Sequence, residues 1–228
     1  MHRFYVEMAD GRPRLQRAQL HQIRSVLRLR DGDEIGVFDG SGAEWVARVT
    51  VEGAELVRPL DESREPTTRL TLYQALIKPA RFEFILQKGT ELGIARFVPF
   101  VAQRSMASGE RSSRWRKIAM EAAEQSGRTV VPEVNEPLTF DEALADATSH
   151  SVPFMPWENA ERPRLSSVHR HCQELGLIVG PEGGFSDTEI EQARARGAVT
   201  VTLGRRILRS ETAALVAAAL LFHLNGEM

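Results

Sequence analysis

From Leu70 onward, short apolar runs alternate with helical spacings, and this alternation leaves the chain few architectures to choose from. Leu70–Ile77 reads as a strand, Arg81–Leu92 as a helix ending at Gly93, and Ala95–Val101 as a strand again. Trp115, Ile118, Ala119 and Ala122 fall at i, i+3, i+4 and i+7 of a further helix. Thr139-Phe140-Asp141-Glu142 and Ser186-Asp187-Thr188-Glu189 are capping boxes that open two more. Val152–Met155, Leu175–Val179 and Ala198–Leu203 are short strands, and Gly197 closes the helix before the last of them. Ala213–Leu224 is the longest apolar run. A membrane span needs about 20 residues, so this run predicts a buried helix. Strand following helix in this manner predicts an α/β domain with a mostly parallel sheet.

The first 60 or so residues read differently. Asp31-Gly32 and Asp39-Gly40 are turn signals around the short strand Glu34–Phe38. Trp45–Val51 alternates apolar and polar, the period of a half-buried strand. Before these, Gln16–Leu29 reads as a helix with Leu20, Ile23 and Leu27 on one face. Arg17, His21, Arg24 and Arg28 form a second stripe without an acid among them. Asp61–Thr68 is polar and aperiodic, which predicts a linker and a division into residues 1–65 and 66–228.

Charge follows the same division. The net charge is −2, yet residues 1–128 carry 21 basic against 17 acidic side chains and residues 129–228 carry 8 against 14. The basic residues are nearly all Arg, which suits bidentate phosphate contacts. An anionic partner is therefore expected on the N-terminal half.

Two strand-to-helix turns concentrate the chemistry. Val179-Gly180-Pro181-Glu182-Gly183-Gly184-Phe185 and Leu203-Gly204-Arg205-Arg206-Ile207-Leu208-Arg209-Ser210-Glu211-Thr212-Ala213 each run from a strand through glycine into a helix. Two such loops, about twenty residues apart, predict one ligand held at the carboxyl edge of a parallel sheet. In the second, Ser210 or Thr212 can cap the helix and Glu211 suits its positive end. Three arginines gain nothing from that position, so capping does not account for them.

Other chemistries lack their residues. Neither loop is a phosphate-binding Gly-Lys-Ser/Thr loop or a dinucleotide G-x-G-x-x-G turn. The histidines show no zinc spacing; His169 and His171 beside Cys172 fit no common pattern, and no metal is expected. Cys172 is the single cysteine, which excludes an internal disulfide and fits a reducing cytoplasm. Met1–Tyr5 has no apolar leader character, and no membrane association is expected.

Taken together, these residues resemble the RsmE-type methyltransferases of the SPOUT superfamily, which methylate N3 of a uridine in bacterial 16S rRNA. The likeness runs through Val26-Leu27-Arg28, Phe38-Asp39-Gly40, Gln87-Lys88-Gly89-Thr90-Glu91-Leu92-Gly93 and Glu121–Arg128. It is most specific in Gly180–Gly184 together with Leu203–Ala213. Gln103-Arg104-Ser105 stands where the family often has Glu-Arg-Ser, and Arg205 where many members have Pro.

The resemblance implies a small PUA-like β-barrel that binds RNA, then a SPOUT α/β domain tied in a deep trefoil knot. It implies a homodimer, S-adenosylmethionine as cofactor, and 16S rRNA in the 30S subunit as partner. The cofactor would lie among Met155, Glu158, Val179, Gly180, Pro181, Glu182, Gly183, Leu203, Gly204, Arg206, Ile207, Leu208, Thr212 and Ala213. RNA would meet Arg3, Arg17, Arg24, Arg28, Lys88 and Arg128. Arg209 is the candidate for holding negative charge on uracil O2 or O4. Glu211 either orients Arg209 or only serves the helix entrance. Two alternatives stay open: a different rRNA or tRNA nucleotide as acceptor, and a non-catalytic RNA-binding assembly factor.

Overall fold

The structure, a computed structural model, describes residues 1–61, 63–105, 112–160, 163–168 and 171–228. It separates into a unit of Met1–Glu65 with Met120–Val131 and a unit of Pro66–Ala119 with Pro132–Met228.

The first unit holds strands β1 (Arg3–Tyr5), β2 (Glu7–Ala9) and β3 (Arg12–Arg14), helix α1 (Arg17–His21), and strands β4 (Glu34–Phe38), β5 (Glu44–Thr50) and β6 (Gly53–Leu60). β4, β5 and β6 form an antiparallel meander, and β1 lies parallel against β4. β2 and β3 are a separate hairpin. Its turn places Asp10 and Gly11 at φ 51° and 73°, the paired left-handed residues that match strand twist. Phe4, Val6, Ile23, Ile35, Val37 and Val49 are buried together as its core.

The helix expected over Gln16–Leu29 is shorter. The α-helical hydrogen bonds give way after His21 to a π-helical turn, Gln22–Val26, and the Leu27 N–H bonds to the Gln22 carbonyl. Arg28 then turns left-handed, at φ 55°. A 3.6-residue period cannot register such a turn, so the arginine stripe is broken. Arg24 swings inward, donating to the Leu29 and Thr50 carbonyls and to Asp31.

The second unit contains β7 (Arg69–Ala75), α2 (Pro79–Leu92), β8 (Arg96–Val101), β9 (Glu133–Val134), β10 (Leu138–Thr139) and α4 (Phe140–His150). It continues with β11 (Phe154–Pro156), α5 (Leu165–Val168), β12 (Glu174–Val179), α6 (Asp187–Ala195), β13 (Val199–Val201) and α7 (Ser210–Leu224). Helix α3 (Ser112–Ser126) supplies residues to both units. The strand order is β10-β8-β7-β12-β11-β13, with β9 also on β8, and every pairing is parallel.

Such a sheet is buried on both faces. Leu70, Leu72, Leu175 and Leu177 point to one side, against Ile85 and Leu86 of α2, Trp115 of α3 and Ala214, Ala218 and Leu221 of α7. Tyr73, Ala75 and Ile178 point to the other, against Phe140 and Leu144 of α4 and Ile190 of α6. Both sequence-read capping boxes are formed, at Thr139–Glu142 and Ser186–Glu189. Gly93 ends α2 at φ 108°, where a side chain would strike Pro66. Among the described residues no helix is long and apolar enough to cross a membrane.

Candidate active site

The loops after β11, β12 and β13 leave the sheet at its carboxyl edge, and there, with Arg81 of α2, they enclose a cavity of about 470 Å³. Its walls are Arg81, Pro156, Glu158, the stretch Val179–Phe185, Ile207–Ser210 and Ala213. A smaller space of about 90 Å³ adjoins it and shares Pro156, Glu158, Ile207, Leu208 and Ala213. Trp157, Thr202, Leu203, Gly204, Arg205 and Arg206 line that smaller space. The two glycine loops therefore face one ligand-sized volume, as their shared pattern predicts.

Each loop is fixed from behind. A buried chain of hydrogen bonds joins them: Gln74 Nε2 donates to Ser210 Oγ at 3.0 Å, and Ser210 Oγ donates to the Gly180 carbonyl at 2.6 Å. Ser210 is thus a strut between loops. The first residue of α7 is preceded by Arg209 as N-cap, and no side chain caps the helix, so neither Ser210 nor Thr212 has the expected capping role. Gly180 packs so closely on Phe185 that a Cβ would sit 2.9 Å from the ring. Phe185 is itself fixed in a cluster with Phe100 and Phe140. Arg104 donates to the Gly183 carbonyl at 2.9 Å, which gives that arginine a role in holding the loop. Trp157 lies under the guanidinium of Arg194, 5.1 Å from the ring centre, and Arg194 is held by Thr200.

The charged residues divide into free and paired groups. Arg209 is exposed at the cavity wall, and no described residue pairs with it. Arg81 sits between two carboxylates, 3.4 Å from Glu182 and 3.6 Å from Glu211. Glu211 therefore faces Arg81 and not Arg209, and its second oxygen is buried without a hydrogen bond. An arginine in the first turn of α2 opposes that helix's dipole. The two glutamates compensate it.

Family models match both parts of the chain. One described as an RNA methyltransferase domain covers residues 63–222, and one described as an RNA methyltransferase PUA domain covers residues 15–58. This chain belongs to that RNA methyltransferase family. It is 38% identical over 214 residues to the ribosomal RNA small subunit methyltransferase E of Synechocystis sp., spanning 90% of this chain and 71% of that protein. To the protein of the same name from Mesomycoplasma hyopneumoniae it is 33% identical, over 94% and 96% of the two chains. A crystal structure of ribosomal RNA small subunit methyltransferase E from Neisseria gonorrhoeae, bound to S-adenosyl methionine, superposes with a TM-score of 0.88. That pair is 34% identical over 98% of each chain.

Within this methyltransferase fold most of the sequence-read cofactor residues meet at the cavity: Glu158, Val179–Gly183, Leu203, Gly204, Arg206, Ile207, Leu208 and Ala213. Met155 does not; it is wholly buried between sheet and helices, because strand alternation turns it to the core and presents Pro156 instead. Thr212 is exposed and lines neither space. Pro156 and Trp157, on the loop that reaches Glu158, also line the site, as does Arg81. Nothing in the local sequence sets Arg81 apart from the other arginines.

The basic residues expected to meet RNA divide likewise. Arg3 is tied to Glu44 at 2.6 Å and to the Glu124 and Arg128 carbonyls. Arg128 is buried and grips Glu65 through two nitrogens, at 2.8 and 3.0 Å. Lys88 is paired with Glu91 at 2.7 Å. With Arg24 turned inward, Arg17 and Arg28 remain exposed and unpaired among the described residues.

Proposed function

We propose that this chain transfers a methyl group from S-adenosylmethionine to N3 of a specific uridine in 16S rRNA of the small ribosomal subunit, in the cytoplasm and as a homodimer. The observation that carries the reading is the 470 Å³ cavity, in which both glycine loops and Arg209, unpaired among the described residues, converge at the carboxyl edge of the sheet. Relatives named for small-subunit rRNA methylation, one of them bound to S-adenosyl methionine, supply the acceptor and the donor.

The residues suit the cofactor. Val179, Leu208 and Ala213 offer apolar surface, and Gly180 and Gly183 line the same space while the room left by their missing side chains is taken by Phe185 and Arg104. When bound, S-adenosylmethionine supplies an electrophilic methyl group on a sulfonium. The protein's part is to orient N3 and to stabilise the charge that develops on uracil. Arg209, which has no partner among the described residues, holds the O2 or O4 oxygen. The acceptor base leaves its stack to enter the cavity.

Residues 66–228 perform the transfer, and residues 1–65 bind RNA through Arg17 and Arg28 on their exposed surface. The transferase part is tied in a deep trefoil knot. In support, β11 lies between β12 and β13 in the sheet, and the chain after β11 and after β13 lines the same cavity. The dimer is supported by apolar residues left exposed on neighbouring helices, Phe84 on α2 and Val216 and Leu220 on α7.

Methyl transfer from labelled S-adenosylmethionine to 30S subunits, followed by nucleoside analysis, tests the reading. Label is expected in N3-methyluridine; label in another nucleoside overturns the acceptor, and no transfer with cofactor still bound favours a non-catalytic RNA binder. Arg209→Ala should slow transfer about 100-fold while cofactor affinity stays within about twofold, by analogy with loss of one charge-stabilising donor. A normal rate removes Arg209 from that role.

A further inference from the structure

We propose that Glu182 is the general base that takes the proton from uridine N3. The inference rests on the methyltransferase reading and adds to it a residue and a step. Uridine N3 carries a proton, and its lone pair is delocalised into two carbonyls until that proton leaves. Efficient attack therefore needs an acceptor beside the ring.

Among the described residues three carboxylates stand at the cavity, and their placement separates them. Glu211 lines neither space; one oxygen reaches Arg81 and the other is shut away from solvent. Glu158 lines both spaces and stands against Gly184, on the segment shared with the smaller space. Glu182 lines only the larger space, the one that also contains Arg81 and Arg209.

Glu182 is also held in a way that leaves it usable. Its Oε1 accepts from the Lys78 backbone N–H at 3.3 Å and lies 3.4 Å from Arg81 Nη1. Lys78 is the N-cap of α2, whose own side chain makes no cap bond, so the carboxylate faces the positive end of that helix. Its other oxygen has no partner among the described residues. Arg81 and the α2 terminus fix the direction of the carboxylate, and the free oxygen is left for a substrate donor. Arg81, braced by Glu211 on its other side, is a positioning residue for this base.

The step balances. The N3–H proton passes to Glu182, and the freed pair on N3 forms the N–C bond as the carbon–sulfur bond breaks and its electrons return to sulfur. A carboxylate, a neutral uridine and a sulfonium become a carboxylic acid, a neutral methyluridine and a thioether. Net charge is zero on both sides. Arg209 offsets the negative charge that passes through the ring.

The rival explanation is that Glu182 only caps α2. An amide oxygen can accept the same two hydrogen bonds, so Glu182→Gln separates the two. Single-turnover transfer to 30S subunits is measured from pH 6 to 9 for wild type, Glu182→Gln and Glu182→Asp. Affinity for S-adenosylhomocysteine is measured by calorimetry, with a thermal melt of each variant. At saturating S-adenosylmethionine, with the calorimetric affinity fixing the concentration needed, Glu182→Gln is expected to transfer about 100-fold or more slowly, the usual worth of a general base. Its rate should climb about tenfold per pH unit, because only spontaneously ionised uridine then reacts. Glu182→Asp keeps a carboxylate and should keep the wild-type profile at a reduced rate. A Glu182→Gln rate near wild type, an unchanged pH profile, or a loss recovered at saturating cofactor overturns the proposal. Wild-type protein that makes no N3-methyluridine sinks the parent reading and this inference together; normal wild-type turnover with an undiminished Glu182→Gln sinks this inference alone.

Discussion

Gly180 shows how one position can serve packing and ligand together. Its backbone carbonyl takes the Ser210 hydroxyl, and its missing side chain admits the Phe185 ring. Phe185 cannot retreat, because Phe100 and Phe140 stand around it. Gly180→Ala should therefore cost about 1–3 kcal/mol, the range for overpacking a filled site. Cofactor affinity should fall with it, since the loop must move to relieve the clash. Urea unfolding and calorimetric titration with S-adenosylhomocysteine check both, and an alanine variant of wild-type stability would show that the loop can shift freely. Arg28 is the opposite case. It holds φ 55°, a conformation that costs a residue with a Cβ roughly 1–2 kcal/mol, and its side chain meets no described partner. Local packing does not explain an arginine there, and that is consistent with the proposed phosphate contact.

At the level of elements, β7, β8 and α4 are tied by one polar group of three. Tyr73 donates to Asp146 at 2.6 Å, and Arg96 reaches the same oxygen at 3.0 Å. Burial alone pushes the Asp146 carboxyl up, but the Tyr73 hydroxyl and the Arg96 guanidinium outweigh it and leave the group below the ordinary carboxylate range. Burial, then the Asp146 carboxylate, pushes the Tyr73 hydroxyl well up. For a lowered carboxyl the sign is fixed: the stabilisation is present above the unfolded value, about 3.9, and is lost as pH falls through the folded value. Asp146→Asn should thus be less stable than wild type at pH 7, and the gap should narrow below pH 4. Unfolding curves at pH 7, 5 and 3 measure it, and a gap that does not change with pH would deny Asp146 this role. Glu124, raised chiefly by its burial, works in the opposite sense in the first unit, so the variant-to-wild-type difference is the clean readout.

For the whole molecule, α7 buries Ala214, Ala217, Ala218, Leu221 and Phe222 yet leaves Val216 and Leu220 exposed. Leu220→Glu should keep the fold and halve the mass seen by light scattering if the exposed stripe is the proposed dimer contact; an unchanged mass would place the contact elsewhere. Much of this molecule was legible along the chain. Alternating strands and helices, two capping boxes and the two glycine loops follow from local periodicity and backbone preference, which depend on near neighbours. Those signals placed the parallel sheet and most residues of the cavity. They could not say which arginines are free. Arg24 is taken by Thr50 and Asp31, Arg3 by Glu44 and Arg128 by Glu65, partners up to 63 residues away. Nor could they report that Glu211 turns to Arg81, or that Met155 faces the core while Pro156 faces the ligand space. The sequence by itself determined most strands and helices of residues 66–228, because those follow from short-range sterics and hydrophobic period; the break in the helix after His21 was not among them. Only the tertiary structure decided which charges pair and which stay unpaired among the described residues of the site, because pairing depends on distances between residues remote in the chain.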